Sequence, residues 1–358
     1  MDWMKRRFKT MQIDSHHGGR ASLCFAQNRA GNTINLRFLN ILIAIVLVVI
    51  LTGCGKKETR PVDEEKKLRV VAAIFPAWDW TRNVLGNNPA EVNLSLLVDN
   101  GVDLHSFQPS VDDILTISNA DLFIYVGGES DQWVTDALKQ AKNPDIRILK
   151  MLDTIGMAAK TEETVEGMQL EEEEGDALDE HVWLSLHNAS MITDAIAGEL
   201  SALDPENAKF YSENVAAYKE KLSALDAQYQ QTVTHAEKKT LLFGDRFPFR
   251  YLVDDYGLRY YAAFSGCSAE TEASFETISF LAQKCNELAL PVVLKIDGSD
   301  GKIAETIVKN TDAKDQTILT LDSMQSVTAK NIEDGTNYFS VMEKNLDVLK
   351  QALGEEKN

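Results

Sequence analysis

Two histidines occupy positions where imidazole nitrogens often bind metal ions. His105 follows a predicted strand, in a loop at its carboxyl end, and open α/β sheets bind ligands at that edge. His181 lies in a predicted loop immediately before a helix. One loop histidine says little, but two in comparable loops favour a site for a divalent cation. His187 and His235 fit structural or surface roles better, since they sit at predicted helix ends.

An acidic segment leads into His181. Residues 161–180 are rich in glutamate and aspartate and contain no histidine. Clustered carboxylates raise the local concentration of cations, an effect that salt screens beyond about 8 Å. The alternative is a disordered, solvated loop. Both interpretations are open at the level of sequence.

The remaining pattern predicts the elements that would position these residues. Apolar runs alternate with helical segments in both halves, at 68–75, 92–98, 121–126 and 146–149, then at 240–243, 259–264, 292–296 and 317–321. Between the halves, residues 205–235 read as one helix about 45 Å long, with Asp204 as its cap. We therefore predict an α/β fold, with two lobes that each hold a mainly parallel sheet flanked by helices. One long rigid backbone helix joins them.

Charge and composition restrict the class of protein. The 358 residues are 44% hydrophobic, which suits a globular chain long enough for two domains. With 36 basic against 55 acidic residues, the formal charge is −19. Phosphate binding needs a basic face, so a nucleic-acid partner is not expected. An acidic surface is compatible with a cationic ligand, although solubility alone explains most such surfaces.

The amino-terminal residues predict export and a lipid anchor. The apolar run 41–50 follows Arg37 and ends at Leu51-Thr52-Gly53-Cys54. A short apolar run with a small-residue cleavage site is typical of a secretory signal peptide. The last four residues resemble a bacterial lipobox, which implies cleavage before Cys54 and a lipid on its sulfur. The alternative is an uncleaved anchor with a chance cysteine. Residues 1–36 precede an ordinary signal, so the true start codon is open.

Two cysteines, Cys267 and Cys285, remain after the lipobox. A disulfide between them is allowed outside the membrane. Two buried free thiols are the alternative, because sequence does not place their Cα atoms within bridging distance. A zinc site built on this pair is not expected, since their spacing matches no zinc pattern.

Several motifs carry a family resemblance. They are residues 103–110 (Asp-Leu-His-Ser-Phe-Gln-Pro-Ser), 181–185 (His-Val-Trp-Leu-Ser), 249–252 (Phe-Arg-Tyr-Leu) and 268–274 (Ser-Ala-Glu-Thr-Glu-Ala-Ser). Together they resemble the solute-binding lipoproteins of zinc and manganese ABC importers. The resemblance covers nearly everything after a polar tether at residues 54–67. The resemblance implies two α/β lobes with Zn²⁺ or Mn²⁺ buried between them. It also implies an ABC permease as partner, a monomer anchored outside the cytoplasm by its lipid, and no enzymatic activity.

The predicted organisation follows from these features. The segments are an extension with signal peptide (1–53), a lipidated tether (54–67), an N-terminal metal-binding lobe (68–186) with the acidic loop (161–180), connecting helices (187–238) and a C-terminal metal-binding lobe (239–358).

The resemblance implies two metal ligands from each lobe. His105 and His181 match the first-lobe histidines. The third ligand, His or Glu, is expected where this chain has Arg246, and a guanidinium cannot coordinate a metal. Asp245 is then the predicted substitute, with Arg246 pairing a carboxylate beside the site. The alternative is that Asp245 and Arg246 form only an ion pair.

The fourth ligand, a carboxylate, is expected within residues 296–302. Asp300 matches best and Asp297 competes, and either could simply cap the following helix. Two imidazoles and two carboxylates suit Zn²⁺ or Mn²⁺, and intrinsic affinity favours zinc. Because the ligands must be deprotonated, binding is expected to weaken as pH falls towards the histidine pKa.

Two other functions are compatible with the sequence. A lipoprotein of the same fold without a metal-transport role, adhesin-like or anion-binding, would turn Arg246 towards an anion. A secreted zinc hydrolase would need an open coordination position, a water and a general base. Its usual His-Glu-x-x-His motif is absent from the sequence.

Overall fold

The computed structural model describes residues 67–87, 92–169, 177–268 and 272–354. The predicted signal peptide, Cys54 and nearly all of the tether lie outside these ranges, so the lipid anchor stays a prediction. All described residues belong to one compact unit, Asp63–Asn358. Within the described ranges, no helix is both long enough and apolar enough to cross a membrane.

In its described residues, the first lobe is built on four strands and five flanking helices. The strands are β1 (Leu68–Ala72), β2 (Val92–Leu96), β3 (Leu122–Tyr125) and β4 (Arg147–Lys150). The helices are Phe75–Leu85, Val111–Ser118, Val134–Leu138, Met151–Ile155 and Leu186–Leu203. The strands are parallel, in the order β2-β1-β3-β4. Their carboxyl ends therefore meet at one edge, the edge that His105 follows.

The second lobe repeats this arrangement. Its strands are β5 (Thr240–Phe247), β6 (Arg259–Ser265), β7 (Val292–Ile296) and β8 (Thr317–Leu321). Its helices are Arg250–Tyr256, Phe275–Glu287, Lys302–Asn310, Ala329–Glu333 and Tyr338–Ala352. The strands are again parallel, in the order β6-β5-β7-β8. The predicted α/β fold with two mainly parallel sheets is confirmed.

The connecting helix Ala208–His235 runs for 28 residues and contacts elements of both halves. Asn214 Nδ2 donates to the carbonyl of Val84, in a helix of the first lobe, at 2.9 Å. Near its other end, Tyr229 donates its hydroxyl proton to the carbonyl of Met342 at 2.7 Å. The helix is therefore a shared support for the two lobes.

The predicted start of this helix was wrong by one turn. Pro205–Asn207 forms a separate 3₁₀ turn, and the Asp204 side chain caps no backbone N–H. Its carboxylate instead accepts a hydrogen bond from the Tyr211 hydroxyl at 2.6 Å. The same oxygen also accepts a hydrogen bond from Asn207 Nδ2 at 2.8 Å, so side chains rather than the helix backbone engage this carboxylate.

One of two apolar clusters among the described residues extends through both lobes. Phe123 of β3 and Phe243 of β5 are fully buried in the same cluster. Leu242, the neighbour of Phe243, faces a second cluster on the other side of the sheet, because successive strand residues point to opposite faces. Burial on both faces explains the continuous apolar runs of the sequence. A core shared between lobes limits how far they can separate.

Candidate metal centre

Two short turns of the same design carry His105 and His181. Asp103 precedes the turn Leu104–Ser106 and accepts a hydrogen bond from the backbone N–H of His105 at 2.9 Å. Asp179 accepts one from the backbone N–H of His181 at 2.8 Å. In each turn, an aspartate two residues upstream fixes the backbone of the histidine, so the rings start from defined positions.

The two imidazoles face each other through their Nε2 atoms, which lie 3.1 Å apart. His105 Nδ1 contacts the Ser130 hydroxyl at 2.7 Å, and His181 Nδ1 contacts Asp179 Oδ1 at 3.0 Å. With Nδ1–H donating to these oxygens, each Nε2 holds a lone pair that points at the other. Two nitrogens bound to one tetrahedral zinc lie about 3.3 Å apart, so a cation between the rings fits this geometry.

Burial keeps both rings neutral. The His181 side chain is fully buried, and burial lowers its pKa. Burial, together with the neighbouring His181, lowers the pKa of His105 to about 4. A neutral imidazole is the form that ligates a metal, so both rings are prepared for binding at neutral pH.

Three acidic residues of the segment 161–180 line this site. Glu162 Oε1, Asp179 Oδ2 and Glu180 Oε2 are buried without a hydrogen-bond partner among the described residues. Burial raises the pKa of Asp179 to about 7 and also raises the pKa of Glu162. Buried carboxylate oxygens without partners are costly unless a cation compensates them.

The Glu180 carboxylate lies beside His105 and packs closely against Gly128. Its Oε1 accepts a hydrogen bond from Ser130 N at 2.8 Å, and its Oε2 lies 3.6 Å from His105 Nδ1. A Cβ at Gly128 would lie 2.2 Å from Glu180 Oε1, so only glycine leaves room for the carboxylate. The acidic segment is therefore more than a solvated loop, because its two described ends form part of the wall of the site. Residues 170–176, which include four of its eight glutamates, lie outside the described ranges.

Cys267, a residue of the second lobe, lies close to the two histidines of the first lobe. Two groups of described side chains have donor atoms within 4.8 Å of one another, and His181 belongs to both. One group is His105, His181 and Cys267, and the other is Glu162, Asp179 and His181. Sequence reasoning missed Cys267. Its position in the sequence could have suggested a ligand, since Cys267 follows the carboxyl end of β6 much as His105 follows that of β2.

The structure does not bring Asp245 or Asp300 to the histidine pair. Asp245 is buried and accepts hydrogen bonds from the backbone N–H groups of Arg246 at 2.9 Å and Ile296 at 3.3 Å. Asp300 is exposed, pairs with the side chain of Lys302 and accepts a hydrogen bond from its backbone N–H at 3.0 Å. Both acids line a neighbouring cleft of ≈ 490 Å³. Their oxygens already stabilise strand and helix ends, and the structure groups neither acid with the histidine pair, so their role as ligands stays a prediction.

Arg246 links the two lobes. Its Nη2 donates to Asp103 Oδ2 at 2.6 Å, so the expected carboxylate partner is found in the opposite lobe. Burial would raise the pKa of Asp103, but the charge of Arg246 and its hydrogen bond outweigh burial and lower that pKa. Asp297, the competing candidate for the fourth ligand, accepts hydrogen bonds from the backbone N–H groups of Ser323 at 2.6 Å and Ser326 at 3.0 Å. Asp297 therefore stabilises a loop.

Both cysteines of the described chain are free, so the possible disulfide does not form. Cys285 is buried in the outer core of the second lobe and donates to the carbonyl of Leu290 at 3.6 Å. Cys267 instead makes a hydrogen bond with the Glu162 carboxylate, which lies beside the histidines. The two thiols have separate surroundings, so of the two alternatives left open by the sequence the structure shows the free thiols.

The fold and the site define a two-lobe α/β protein with a candidate metal centre formed by side chains of both lobes. Residues 70–352 match the family model described as zinc-uptake complex component A, periplasmic (ZnuA). The chain belongs to this family. The resemblance inferred from the motifs is thereby confirmed.

Three known proteins illustrate this membership. The zinc-binding protein AdcA of Streptococcus pyogenes is 29% identical over 322 residues, which cover 87% of this chain and 61% of AdcA. The chain thus spans less than two thirds of that relative. The high-affinity zinc uptake system protein ZnuA of Bacillus subtilis is 28% identical, over 85% of this chain and 94% of its own length. The Zn(II)-bound ZnuA-like domain of Streptococcus pneumoniae AdcA is 29% identical, with a TM-score of 0.64, 81% of this chain and 100% of the domain covered.

Proposed function

We propose that this chain is an extracytoplasmic solute-binding lipoprotein that captures a divalent metal, zinc before manganese, and delivers it to an ABC-type permease. The observation that carries the proposal is the pair of Nε2 atoms 3.1 Å apart, with each Nδ1 in contact with a protein oxygen. Membership of the zinc-uptake family supports zinc as the cargo. Buried carboxylate oxygens around the pair supply the negative charge that a cation would balance.

A binding role fits the site better than hydrolysis. A catalytic zinc keeps one position open to water and substrate. Here His181 is fully buried and His105 nearly so, so the metal would be enclosed rather than presented to a substrate. The protein is proposed to act without enzymatic activity, as a monomer.

The proposed anchor is a lipid on Cys54, which would hold the chain at the outer face of the cell membrane. Growth with a labelled fatty acid should label the wild-type protein, and Cys54→Ala should abolish the label. An equally labelled Cys54→Ala protein would contradict the anchor while leaving the metal proposal intact.

Equilibrium dialysis followed by elemental analysis tests the metal proposal. The wild-type chain should bind one zinc and bind manganese more weakly. The double variant His105→Ala, His181→Ala should bind neither tightly. A matched control replaces His187 and His235, which have exposed side chains outside the site, and should bind zinc as the wild type does. If the His105, His181 double variant retained wild-type zinc affinity, the proposal would fail. Turnover of a peptide or ester substrate would favour the hydrolase.

A further inference from the structure

Strand pairing in the second lobe places Cys267 next to Arg246. In the register of β5 and β6, Arg246 pairs with Phe264 and Phe247 with Ser265. Cys267 lies two residues beyond Ser265, just past the end of β6. The guanidinium of Arg246 donates through Nη1 to the carbonyl of Ser268 at 3.2 Å. The side chain at the expected position of the third ligand therefore holds the loop that carries the thiol.

The same loop packs directly against His181. A Cβ at Gly266 would lie 3.0 Å from His181 Cε1 and 2.9 Å from the carbonyl oxygen of Phe247. A side chain at this position would push the ring and the loop apart. The glycine thus permits the close approach that brings the Cys267 sulfur to the histidines.

Distances within the cluster suit a metal of ordinary coordination geometry. Donor atoms of His105, His181 and Cys267 all lie within 4.8 Å of one another. Around a tetrahedral zinc, two nitrogens are about 3.3 Å apart and a nitrogen and a sulfur about 3.6 Å apart. This upper limit leaves the three donors close enough to meet on one ion after small adjustments of the side chains.

The surroundings of Cys267 distinguish it from a structural cysteine. Its thiol makes a hydrogen bond with the carboxylate of Glu162, which lies beside His181. A thiol bound to a metal loses its proton to the charge of the ion. Cys285 packs in an apolar core and shares none of these features.

We propose that Cys267 is the third metal ligand, so that His105, His181 and Cys267 form a nitrogen-nitrogen-sulfur donor set. This inference rests on the proposed function. On binding, the metal–sulfur bond replaces the S–H bond and the proton is released to solvent. Thiolate is a soft donor that selects zinc over manganese. The second lobe thereby tunes the site towards zinc and replaces a ligand that Arg246 cannot supply.

Cobalt and zinc titrations of the full chain test this assignment. A cobalt-loaded wild-type protein should show the near-ultraviolet charge-transfer band of a thiolate–cobalt bond. Cys267→Ser and Cys267→Ala should lose the band and bind zinc about 100-fold more weakly or worse, because loss of an outer partner alone costs about 10- to 100-fold. The preference for zinc over manganese should fall with it. Cys285→Ala is the matched control and should keep both the band and the affinity.

X-ray absorption of the wild-type zinc complex provides a measurement that needs no variant. One sulfur at about 2.3 Å from zinc, with nitrogen or oxygen neighbours near 2.0 Å, is expected. A zinc complex without sulfur, or a Cys267→Ala protein with wild-type zinc affinity, would overturn the assignment but not the metal-binding function. A wild-type chain that binds neither zinc nor cobalt would overturn both.

Discussion

The two histidine turns begin alike and differ in what their aspartates hold. Asp179 accepts hydrogen bonds from both the backbone N–H and the Nδ1 of His181, so one carboxylate fixes its own turn and its own ring. Asp103 accepts a hydrogen bond from the His105 backbone with one carboxylate oxygen and another from Arg246 of the opposite lobe with the second. The same local motif thus orients a ligand in one turn and joins the lobes in the other. Mutations should therefore separate metal affinity from lobe association.

The largest effect is expected from removing an imidazole. His181→Ala deletes a donor atom and should weaken zinc binding by more than about 100-fold, since even outer-shell losses reach that size. His187→Ala is the control, because that side chain is 60% exposed and lies near Asp226 and Asp255 instead. Isothermal titration with zinc measures both, and circular dichroism checks folding. Equal affinities of the two variants would contradict the assignment of His181.

A smaller loss should follow when only the support of that ring is removed. Asp179→Ala leaves the imidazole in place but frees its Nδ1, so zinc affinity should fall by about 10- to 100-fold. Asp136→Ala, whose side chain is 82% exposed, provides the control for loss of a carboxylate. Competition with a chromophoric chelator measures both affinities. An unchanged affinity would mean that the ring is held by packing alone.

Asp103, the aspartate of the other turn, should affect the free energy of unfolding through its ion pair with Arg246. Asp103 and Arg246 are each about one-fifth exposed (20% and 19%), so solvent screens the ion pair in part. A double-mutant cycle with Asp103→Ala and Arg246→Ala should give a coupling energy of about 1 kcal/mol in urea unfolding of the metal-free protein. A coupling near zero would show that the pair contributes nothing measurable to holding the lobes together.

The smallest effect is expected at Asp300, the carboxylate that the family pattern favoured. Asp300→Asn should leave zinc affinity within about twofold, because the side chain is exposed and contacts Lys302. The comparison with Cys267→Ala in the same chelator assay separates the two candidate ligands. A large loss at Asp300 would restore the carboxylate assignment and argue against the sulfur.

Most of the fold could be predicted from the sequence. β7 and β8 have the predicted bounds, because apolar periodicity and the residues at each end agree there. His105 and His181 were found for the same reason, since loops at strand and helix ends show up in the local pattern. Local chemistry was sufficient in these cases.

The second-lobe side of the site depended on contacts that are distant in sequence. Sequence reasoning sought the replacement for Arg246 at its neighbour Asp245, whose side chain instead accepts backbone hydrogen bonds. The thiol that meets the histidines comes from the adjacent strand, β6, through the pairing of Phe247 with Ser265. Which carboxylates of the acidic segment would be buried beside His181 was equally invisible, because burial is set by tertiary packing.

The hydrogen bonds between the lobes have a consequence for the proposed delivery of metal to a transporter. Trp183 Nε1 donates to the carbonyl of Ser323 at 2.8 Å, and the Tyr251 hydroxyl donates to the carbonyl of Asp179 at 2.9 Å. These bonds use no donor atom of the metal cluster, so departure of the ion does not break them. If the chain delivers a metal as proposed, its outline is thus nearly independent of the bound ion. A permease that distinguishes the loaded from the empty protein would then sense small local shifts in the turns and the cysteine loop.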